Sequence, residues 1–446
     1  MIEQKEIETL VGALQTLESG FAGLPPVEQH YDWQAMGVVL NEVAEKMHNN
    51  YPYHHPLYAG QMLKPPHPIA RMAYALSMWI NPNNHALDGG RASSAMELEC
   101  IAALGKMFGL EQPLGHLCGG GTMANLEALW VAGRLHPGKK IVASSQAHYT
   151  HSRISEVLGL DFSAVPVVPD GRMDVAALEE ILQSGNIGTV VATLGNTGIG
   201  AVDPLDEILA LQKKYGFRIH VDAAYGGYFH ISSELGAGAR KAFDRIAEVD
   251  SIVIDPHKHG LQPYGCGCVL FRDAKVGALY KHDSPYTYFT SAELHLGEIS
   301  LECSRPGASA VALWATQKLL PMAPGGEFSR ELDKSLLAAR ALYESIDSSE
   351  NFQALMLPEI DIVVYGVQAK DASTASNRAG EVFTVAARRN LHLALITLPA
   401  SMISEVWPEL ILDQDSVTCL RSCLMKPEHL DWLAEIATIL DAAATV

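Results

Sequence analysis

Short apolar runs alternate with amphipathic segments between about residues 140 and 272. The runs are rich in β-branched residues and read KKIVAS, AVPVV, TVVATL, RIHVDAA, DSIVID and CGCVLF. Two of the intervening segments, VAALEEILQSG and LDEILALQKKYG, carry apolar residues at helical spacing and end at a glycine. Continuous apolar strands that alternate with helices predict a largely parallel sheet covered on both faces.

The N-terminal residues follow a helical pattern. Ile7, Leu10, Val11, Leu14 and Leu17 recur at helical spacing, which predicts an amphipathic helix. This opening lacks the basic start and apolar core of a signal peptide. No apolar run approaches the ~18–20 residues that are needed to cross a bilayer. We therefore expect neither a secretion signal nor a membrane span.

Pro- and Gly-rich stretches divide the chain. The stretch YPYHHPLYAGQMLKPPHP predicts an extended arm, and LPMAPGGEFSR predicts a break after the α/β pattern. Segments beyond the break alternate between helix-like and strand-like patterns, which predicts a smaller α+β domain. We expect an N-terminal helix and arm over 1–80, a large α/β domain over 81–322 and a small domain over 323–446.

Composition narrows the class of protein. Of the 446 residues, 48% are hydrophobic, so the chain can bury a large core. The formal net charge of −19 argues against nucleic acid and against an anionic membrane as partners. The 7 cysteines are odd in number and form no paired framework, which suits a reducing compartment. We therefore expect a cytoplasmic location.

Two ionisable residues stand where predicted strands end. Lys258 follows the run SIVI in DPHKHG, and Asp222 closes the strand in IHVDAAYGG. A lysine here is either a solvated loop residue or an amine kept for Schiff-base chemistry. A buried Asp222 would need a metal, an ion pair or a protonated heterocyclic nitrogen as its partner. Because parallel sheets bind ligands beyond the carboxyl ends of their strands, both side chains could reach one pocket.

Two further segments could contribute to that pocket. Glycines and Thr122 in CGGGTMANLEAL precede a helical pattern, so free helix amides could bind a phosphate, although many such helix entries are only structural. His148 in AHYTHSR could stack on a ring or transfer protons. The HxxH spacing of His148 and His151 also allows a metal, but further ligands at conventional spacing are missing, so we expect none. An aldehyde cofactor with a pyridine ring requires an amine and an acid at the same sheet edge.

The order of these features resembles the pyridoxal-phosphate-dependent group II amino-acid decarboxylases of fold type I. The resemblance covers most of the chain and rests on HPLYAGQMLKPPHPIA, NPNN, GGGTMANLEAL, AHYTHSR, ATLGNTGIGAVDP, HVDAAYGG, DPHKHG and LECSRPGASAVALW. It implies a PLP-dependent transferase-like large domain with pyridoxal 5'-phosphate as cofactor. It also implies decarboxylation of an L-amino acid to the amine and CO2, in a homodimer whose active sites lie at the subunit interface.

The resemblance implies a role for each matching residue. Lys258 would form the internal aldimine, Asp222 would bind the pyridinium nitrogen and His148 would stack on the ring. The remaining cofactor contacts would come from the phosphate loop, from a histidine beside it and from residues near the ring: Gly120, Gly121, Thr122, His257, Ala224 and Asn196.

Substrate contacts and proton transfer involve other segments. The resemblance assigns the substrate carboxylate to Arg421, and we expect Gln61 to make a polar contact with the substrate. A loop tyrosine from the other subunit would protonate Cα, with Tyr286 and Tyr288 as candidates and Tyr288 preferred. Acidic and aromatic amino acids both stay open as substrates.

Two alternatives remain at this point. An aldehyde synthase or a carbon–carbon lyase would use the same cofactor and fold, although the loop tyrosines favour a decarboxylase over a synthase. A non-catalytic homologue that binds the cofactor belongs to another class of protein, and the presence of Lys258, Asp222 and His148 argues against it.

Overall fold

The computed structural model describes residues 3–85, 87–281 and 299–445. Its larger sheet contains β1 (Leu114–Cys118), β2 (Lys140–Ser144), β3 (Phe162–Val165), β4 (Ile187–Thr193), β5 (Arg218–Asp222), β6 (Ser251–Ile254) and β7 (Gly267–Phe271). Their order across the sheet is β1–β7–β6–β5–β4–β2–β3. The four pairs among β2 to β6 are parallel, whereas β7 runs antiparallel to β6 and to β1. The expected largely parallel sheet is confirmed.

Burial explains why these strands read as continuous apolar runs. Every residue of β4, β6 and β7 is buried, because helices cover both faces of a mainly parallel sheet. The helices of this region are α4 (Arg91–Met107), α5 (Gly121–Leu135), α6 (Thr150–Val157), α7 (Val175–Leu182), α8 (Leu205–Tyr215), α9 (Ala237–Phe243) and α10 (Gly307–Leu319). The end of α8 follows its sequence: Gly216 adopts a φ of 71° and closes the last turn.

A smaller antiparallel sheet follows. It contains β8 (Phe352–Ala354), β9 (Ile362–Val367), β10 (Ala394–Pro399) and β11 (Ser416–Cys423), in the order β10–β11–β9–β8. Its helices are α11 (Glu327–Asp347), α12 (Ala372–Arg388), α13 (Ala400–Ile403) and α14 (His429–Ala444). Ile360 and Ile362 belong to the same buried apolar cluster as Val190 and Ile199, so the core continues from one sheet to the other.

The N-terminal part is helical over more of its length than its sequence predicted. It contains α1 (Gln4–Ser19), α2 (Trp33–Met47) and α3 (Pro68–Met78). The amphipathic pattern predicted α1, whereas α2 and α3 fall within or beside the segment that was predicted as an extended arm. No residue of α1 or α2 is buried within this chain. Across the described residues, none of the helices combines the length and apolar character that a bilayer crossing requires.

Candidate active site

A cavity of about 560 Å³ lies at the carboxyl ends of the parallel strands. The structure brings together most of the predicted cofactor-binding residues in its lining: Gly120, Gly121, Thr122, His148, Asp222, Ala224, His257 and Lys258. Each of them closes a strand, follows one, or begins the next helix, which places them at the same edge of the larger sheet.

Lys258 lies on a short turn after β6. Its backbone N–H donates to the Asp255 carbonyl over 2.9 Å, and its Nζ lies 3.0 Å from Asp255 Oδ2. Asp255 is buried, and its Oδ1 has no hydrogen-bond partner among the described residues. The lysine is therefore held at the cavity wall by an ion pair, which distinguishes it from a solvated loop residue.

Asp222 occupies the end of β5 and binds three donors. Its Oδ1 accepts the Ala224 N–H over 3.0 Å, and its Oδ2 accepts Asn125 Nδ2 over 3.1 Å and His151 Nε2 over 2.8 Å. Burial acts to raise the pKa of Asp222, but the hydrogen bond and charge of His151, with the charge of Lys258, outweigh it and hold the pKa below its ordinary value. The cavity thus contains a carboxylate that stays ionised at neutral pH.

A second layer of polar contacts supports Asp222. His220 Nε2 lies 2.8 Å from Asn125 Oδ1, and its Nδ1 lies 2.9 Å from Ser251 Oγ. Burial lowers the pKa of His220 to about 3, so the ring is neutral and has one donor and one acceptor nitrogen. Donation from Nε2 to the Asn125 oxygen leaves the Asn125 amide nitrogen to face Asp222. The hydrogen bonds of this network therefore all donate in one direction, from Ser251 through His220 and Asn125 to the Asp222 carboxylate.

His151 is a site residue that the sequence did not assign to this role. Its spacing from His148 allowed a metal pair, which the sequence did not favour, and the structure turns the fully buried His151 ring toward Asp222. Within the described part of the chain, no group of three or more His, Cys, Asp or Glu residues is placed to hold a metal ion. The sequence did contain one signal for this role, because an aspartate that is buried at the end of a strand needs a hydrogen-bond donor.

The loop between β1 and α5 lines one side of the cavity. Gly120 has a φ of 148°, and α5 begins at Gly121. A Cβ on Gly121 would lie 2.7 Å from Asp255 Oδ2, so this backbone packs against the Lys258 turn. Gly121, Thr122 and Met123 line the cavity, and first-turn amides have no acceptor within their own helix. Such amides at a helix N-terminus bind phosphate groups.

Two histidines flank the cavity. His148 Nδ1 lies 2.9 Å from Thr150 Oγ1, and burial lowers the pKa of His148. His257 Nδ1 donates to the Cys266 carbonyl over 2.8 Å, and burial lowers the pKa of His257 as well. Both rings are therefore oriented by a local hydrogen bond.

The other predicted residues have different surroundings. Asn196 does not line the cavity, and its Oδ1 accepts the Ile199 and Gly200 amides over 2.9 and 3.1 Å. Arg421 is buried in β11 with Nη2 3.2 Å from Cys423 Sγ, outside the cavity lining.

The remaining predictions concern Gln61 and the two loop tyrosines. Gln61 is exposed and does not line the cavity. Tyr286 and Tyr288 lie outside the described residues.

The lining residues fit pyridoxal phosphate. An amine suits its aldehyde, an ionised buried carboxylate suits its ring nitrogen, and helix amides suit its phosphate. Asp255 Oδ1 and Thr193 Oγ1 are buried and lack a hydrogen-bond partner among the described residues. Both oxygens can therefore form a hydrogen bond with a ligand in the cavity.

Solved structures share the fold along nearly the whole chain. The structure of Oryza sativa TDC with PLP and tryptamine matches with a TM-score of 0.80 at 17% sequence identity and covers 99% of this chain and 96% of that one. The structure of mouse CSAD in apo form matches with a TM-score of 0.77 at 21% identity and covers 99% and 92%. These matches confirm the expected fold class.

Sequence comparisons identify the family. The probable L-tyrosine/L-aspartate decarboxylase of Methanothermobacter thermautotrophicus is 30% identical over 327 residues, which cover 72% of this chain and 86% of the relative. The L-tyrosine decarboxylase of Enterococcus faecium is 27% identical over 410 residues, which cover 69% and 67%. Residues 131–368 match the model of the pyridoxal-dependent decarboxylase conserved domain. The chain therefore belongs to the pyridoxal-dependent decarboxylase family.

Proposed function

We propose that the protein decarboxylates an L-amino acid to its amine and CO2 in the cavity lined by Lys258. The observation that carries this proposal is the convergence of the Lys258 amine, the Asp222 carboxylate and the first-turn amides of α5 at one sheet edge. Pyridoxal phosphate, when bound, supplies an electron sink for the pair left on Cα when CO2 departs.

Each residue contributes binding or orientation. Lys258 would hold the cofactor aldehyde, and Asp222 would hold a proton on the ring nitrogen, because its ionised state favours a cationic partner. The amides of Gly121 and Thr122 would bind the phosphate. His148, which lines the same cavity, would cover one face of the ring.

Asp255 adds a function that the sequence did not assign. A lysine must lose a proton before its amine attacks an aldehyde, and Asp255 Oδ2 lies 3.0 Å from Lys258 Nζ. We assign Asp255 the role of orienting the free amine and exchanging that proton with it.

The proposal also assigns contacts with the substrate and the transfer of a proton to it. Arg421 would bind the substrate carboxylate, Gln61 would contact the substrate, Asn196 would approach the ring substituents, and Tyr288 of a second copy, or Tyr286, would protonate Cα. The two relatives are named for L-tyrosine and L-aspartate, and these lead the candidate substrates.

We also propose a cytoplasmic homodimer. The arm supports the dimer, because no residue of α1 or α2 is fully buried within the chain and Trp33 and Leu40 are 74% and 66% exposed. All cysteines are free, which suits a reducing compartment. The division into an arm over 1–80, a large domain over 81–322 and a small domain over 323–446 is part of the same proposal.

Product analysis tests the reaction. Purified, cofactor-loaded protein is incubated with each common L-amino acid, and CO2, amine, aldehyde and peroxide are measured. CO2 with a stoichiometric amount of amine supports the proposal. Aldehyde with peroxide would instead identify a synthase, and an intact cofactor with no CO2 from any of them would contradict decarboxylation of these substrates.

A pair of lysine variants tests the role of Lys258. Lys258→Ala should lose the covalent cofactor absorbance and the amine product, because no other lysine among the described residues lines the cavity. Lys275→Ala is the matched control, since Lys275 is exposed on the protein surface. Equal loss in both variants would contradict the assignment.

A further inference from the structure

A second cavity, of about 350 Å³, borders the turn that carries Lys258. Its lining comes from four parts of the chain: the arm at 64–68, the turn at 259–261, the segment from Leu320 into α11, and residues 426–428. None of its polar lining residues takes part in the site described above. It therefore requires its own explanation.

Two lysines reach this cavity without an ion pair. Lys64 Nζ donates to the Met425 carbonyl over 3.2 Å, and Lys426 Nζ donates to the Tyr58 carbonyl over 2.6 Å. Among the described residues neither amine forms a salt bridge, although Lys426 is only 3% exposed. Burial lowers the pKa of Lys64 to about 8 and that of Lys426 to about 7. Each amine still has donor capacity for an anion.

Carboxylates stand at the outer part of the same cavity. Glu327 and Glu428 are exposed, and Glu331 pairs with Lys334 at 2.8 Å. Below about pH 7, where both lysines are protonated, the cavity is thus cationic at its buried end and anionic at its rim. A simple anion would be repelled at the rim, whereas a ligand with a carboxylate and an ammonium group would match both ends.

His259 gives an independent indication of a ligand. It is fully buried and lines the cavity, and its Nδ1 has no hydrogen-bond partner among the described residues. Its Nε2 also lacks a hydrogen bond of good geometry among these residues, although it lies 3.1 Å from Asp361 Oδ2, to which the Tyr225 hydroxyl donates over 3.0 Å. Tyr225 lines the Lys258 cavity, so the close polar contacts from His259 through Asp361 to Tyr225 connect the two cavities.

We propose that this second cavity binds a small amino acid, with the ligand carboxylate on Lys64 and Lys426 and its ammonium group at Glu327 and Glu428. Apolar walls that include Pro66, Leu261 and Phe328 would face the ligand side chain. Binding here does not depend on the decarboxylation proposed above, because it uses a different set of residues.

Calorimetry on the holoenzyme tests the proposal. Borohydride treatment first fixes the cofactor on Lys258, so that added amino acids cannot react there, and absorbance checks that the cofactor is retained. Glycine and β-alanine are then titrated in parallel with acetate and methylammonium. We expect the two zwitterions to bind and the two single-charge probes to bind much more weakly. Retained absorbance separates a failure of this site from a failure of cofactor binding.

Variants locate the binding. Lys64→Met and Lys426→Met should each weaken glycine binding by about tenfold or more, because each removes a charge-assisted hydrogen bond. Lys64→Arg should retain binding, and Lys318→Met on the surface of α10 should leave it unchanged. Circular dichroism checks the fold, and if Lys426→Met does not fold, Lys64→Met decides.

Three results would overturn the proposal. They are no heat from either zwitterion, acetate that binds as tightly as glycine, and glycine affinity that is the same in Lys64→Met as in the parent protein.

Discussion

The Asp222 carboxylate is held by side chains that are far apart in the sequence. Asn125 comes from α5 and His151 from α6, and His220 supports Asn125 from the same strand as Asp222. A buried carboxylate without such donors would become protonated, since burial favours the neutral form. The charge that the cofactor nitrogen needs therefore depends on Asn125, which lines the cavity, and on His151 and His220, which do not line it.

Removing the His151 donor should weaken cofactor binding. His151→Leu deletes the 2.8 Å hydrogen bond to Asp222 and leaves desolvation to raise the pKa of that carboxyl. We expect the dissociation constant for pyridoxal phosphate to rise about tenfold or more, since a hydrogen bond to a charged group is worth roughly 1.5–3 kcal/mol. Spectrophotometric titration of cofactor-free protein measures it. His151→Gln, which keeps a hydrogen-bond donor, should lose much less affinity for the cofactor. Equal losses of affinity in the two variants would contradict this role of His151.

Lys426 should make the stability of the protein depend on pH. Its folded-state pKa is lowered to about 7, so between that pH and the ordinary lysine pKa of about 10.4 the unfolded chain binds more protons than the folded one. The free energy of unfolding should therefore rise from pH 7 to pH 9 by about 2 kcal/mol from this residue.

Denaturant unfolding at the two pH values measures the effect. The increase in the free energy of unfolding from pH 7 to pH 9 should be smaller by that amount in Lys426→Met. It should be unchanged in Lys318→Met, because Lys318 is exposed and pairs with Glu99 at 3.0 Å. A parent protein that loses stability over this range relative to Lys426→Met would show that the sign is wrong.

At the residue scale, the sequence predicted the groups that stand at strand ends. Lys258, Asp222 and His148 each follow or close an apolar run, and the edge of a parallel sheet collects such positions. Asp255 and His151 were not assigned their roles, because their contacts depend on how a turn and a helix are oriented over the sheet. A local pattern does not encode that orientation.

At the element scale, the turn into α5 depends on close approach to the Lys258 turn. Gly121→Ala would place a Cβ 2.7 Å from Asp255 Oδ2. We expect the aspartate or the helix start to shift, and cofactor affinity to fall by about tenfold or more as charged hydrogen bonds are lost.

Titration with pyridoxal phosphate again gives the measurement. Gly380→Ala in α12 is the control, because a Cβ there meets no atom within 4 Å. Unchanged affinity in Gly121→Ala would show that the loop tolerates the contact.

The strands show how much of the larger sheet the hydrophobic pattern predicts. The six predicted runs correspond to β2 through β7, but β1 was missed because His116 interrupts its apolar pattern. The structure compensates that histidine with Glu127 of α5, 2.8 Å away. The antiparallel direction of β7 was also missed, because a central strand buried on both faces reads as apolar in either direction.

At the scale of the whole molecule, the arm should control assembly. Replacing Val38 and Leu40 together by Glu puts charges on the exposed apolar surface of α2, and we expect a shift from two chains toward one at micromolar concentration. Sedimentation velocity measures the mass. Glu45→Gln on the same helix is the control, and an unaltered dimer in the double variant would exclude α2 from the interface.

The division of the chain is a further feature at this scale. The Pro- and Gly-rich stretch at 320–330 precedes all four strands of the smaller sheet, and the division at this point stays a prediction. The continuous core that joins Ile362 of the smaller sheet to Val190 of the larger one was not predictable, because it arises from contacts between distant segments.

The exposed apolar surface of α1 and α2 has a consequence for temperature. Association through apolar surface weakens on cooling, because the hydrophobic contribution is entropic near room temperature. A dimer held through these helices should therefore be sensitive to cold. Protein kept on ice at high dilution should separate into single chains and recover its mass and activity on rewarming, whereas a dimer held mainly by polar contacts would show no such reversible loss.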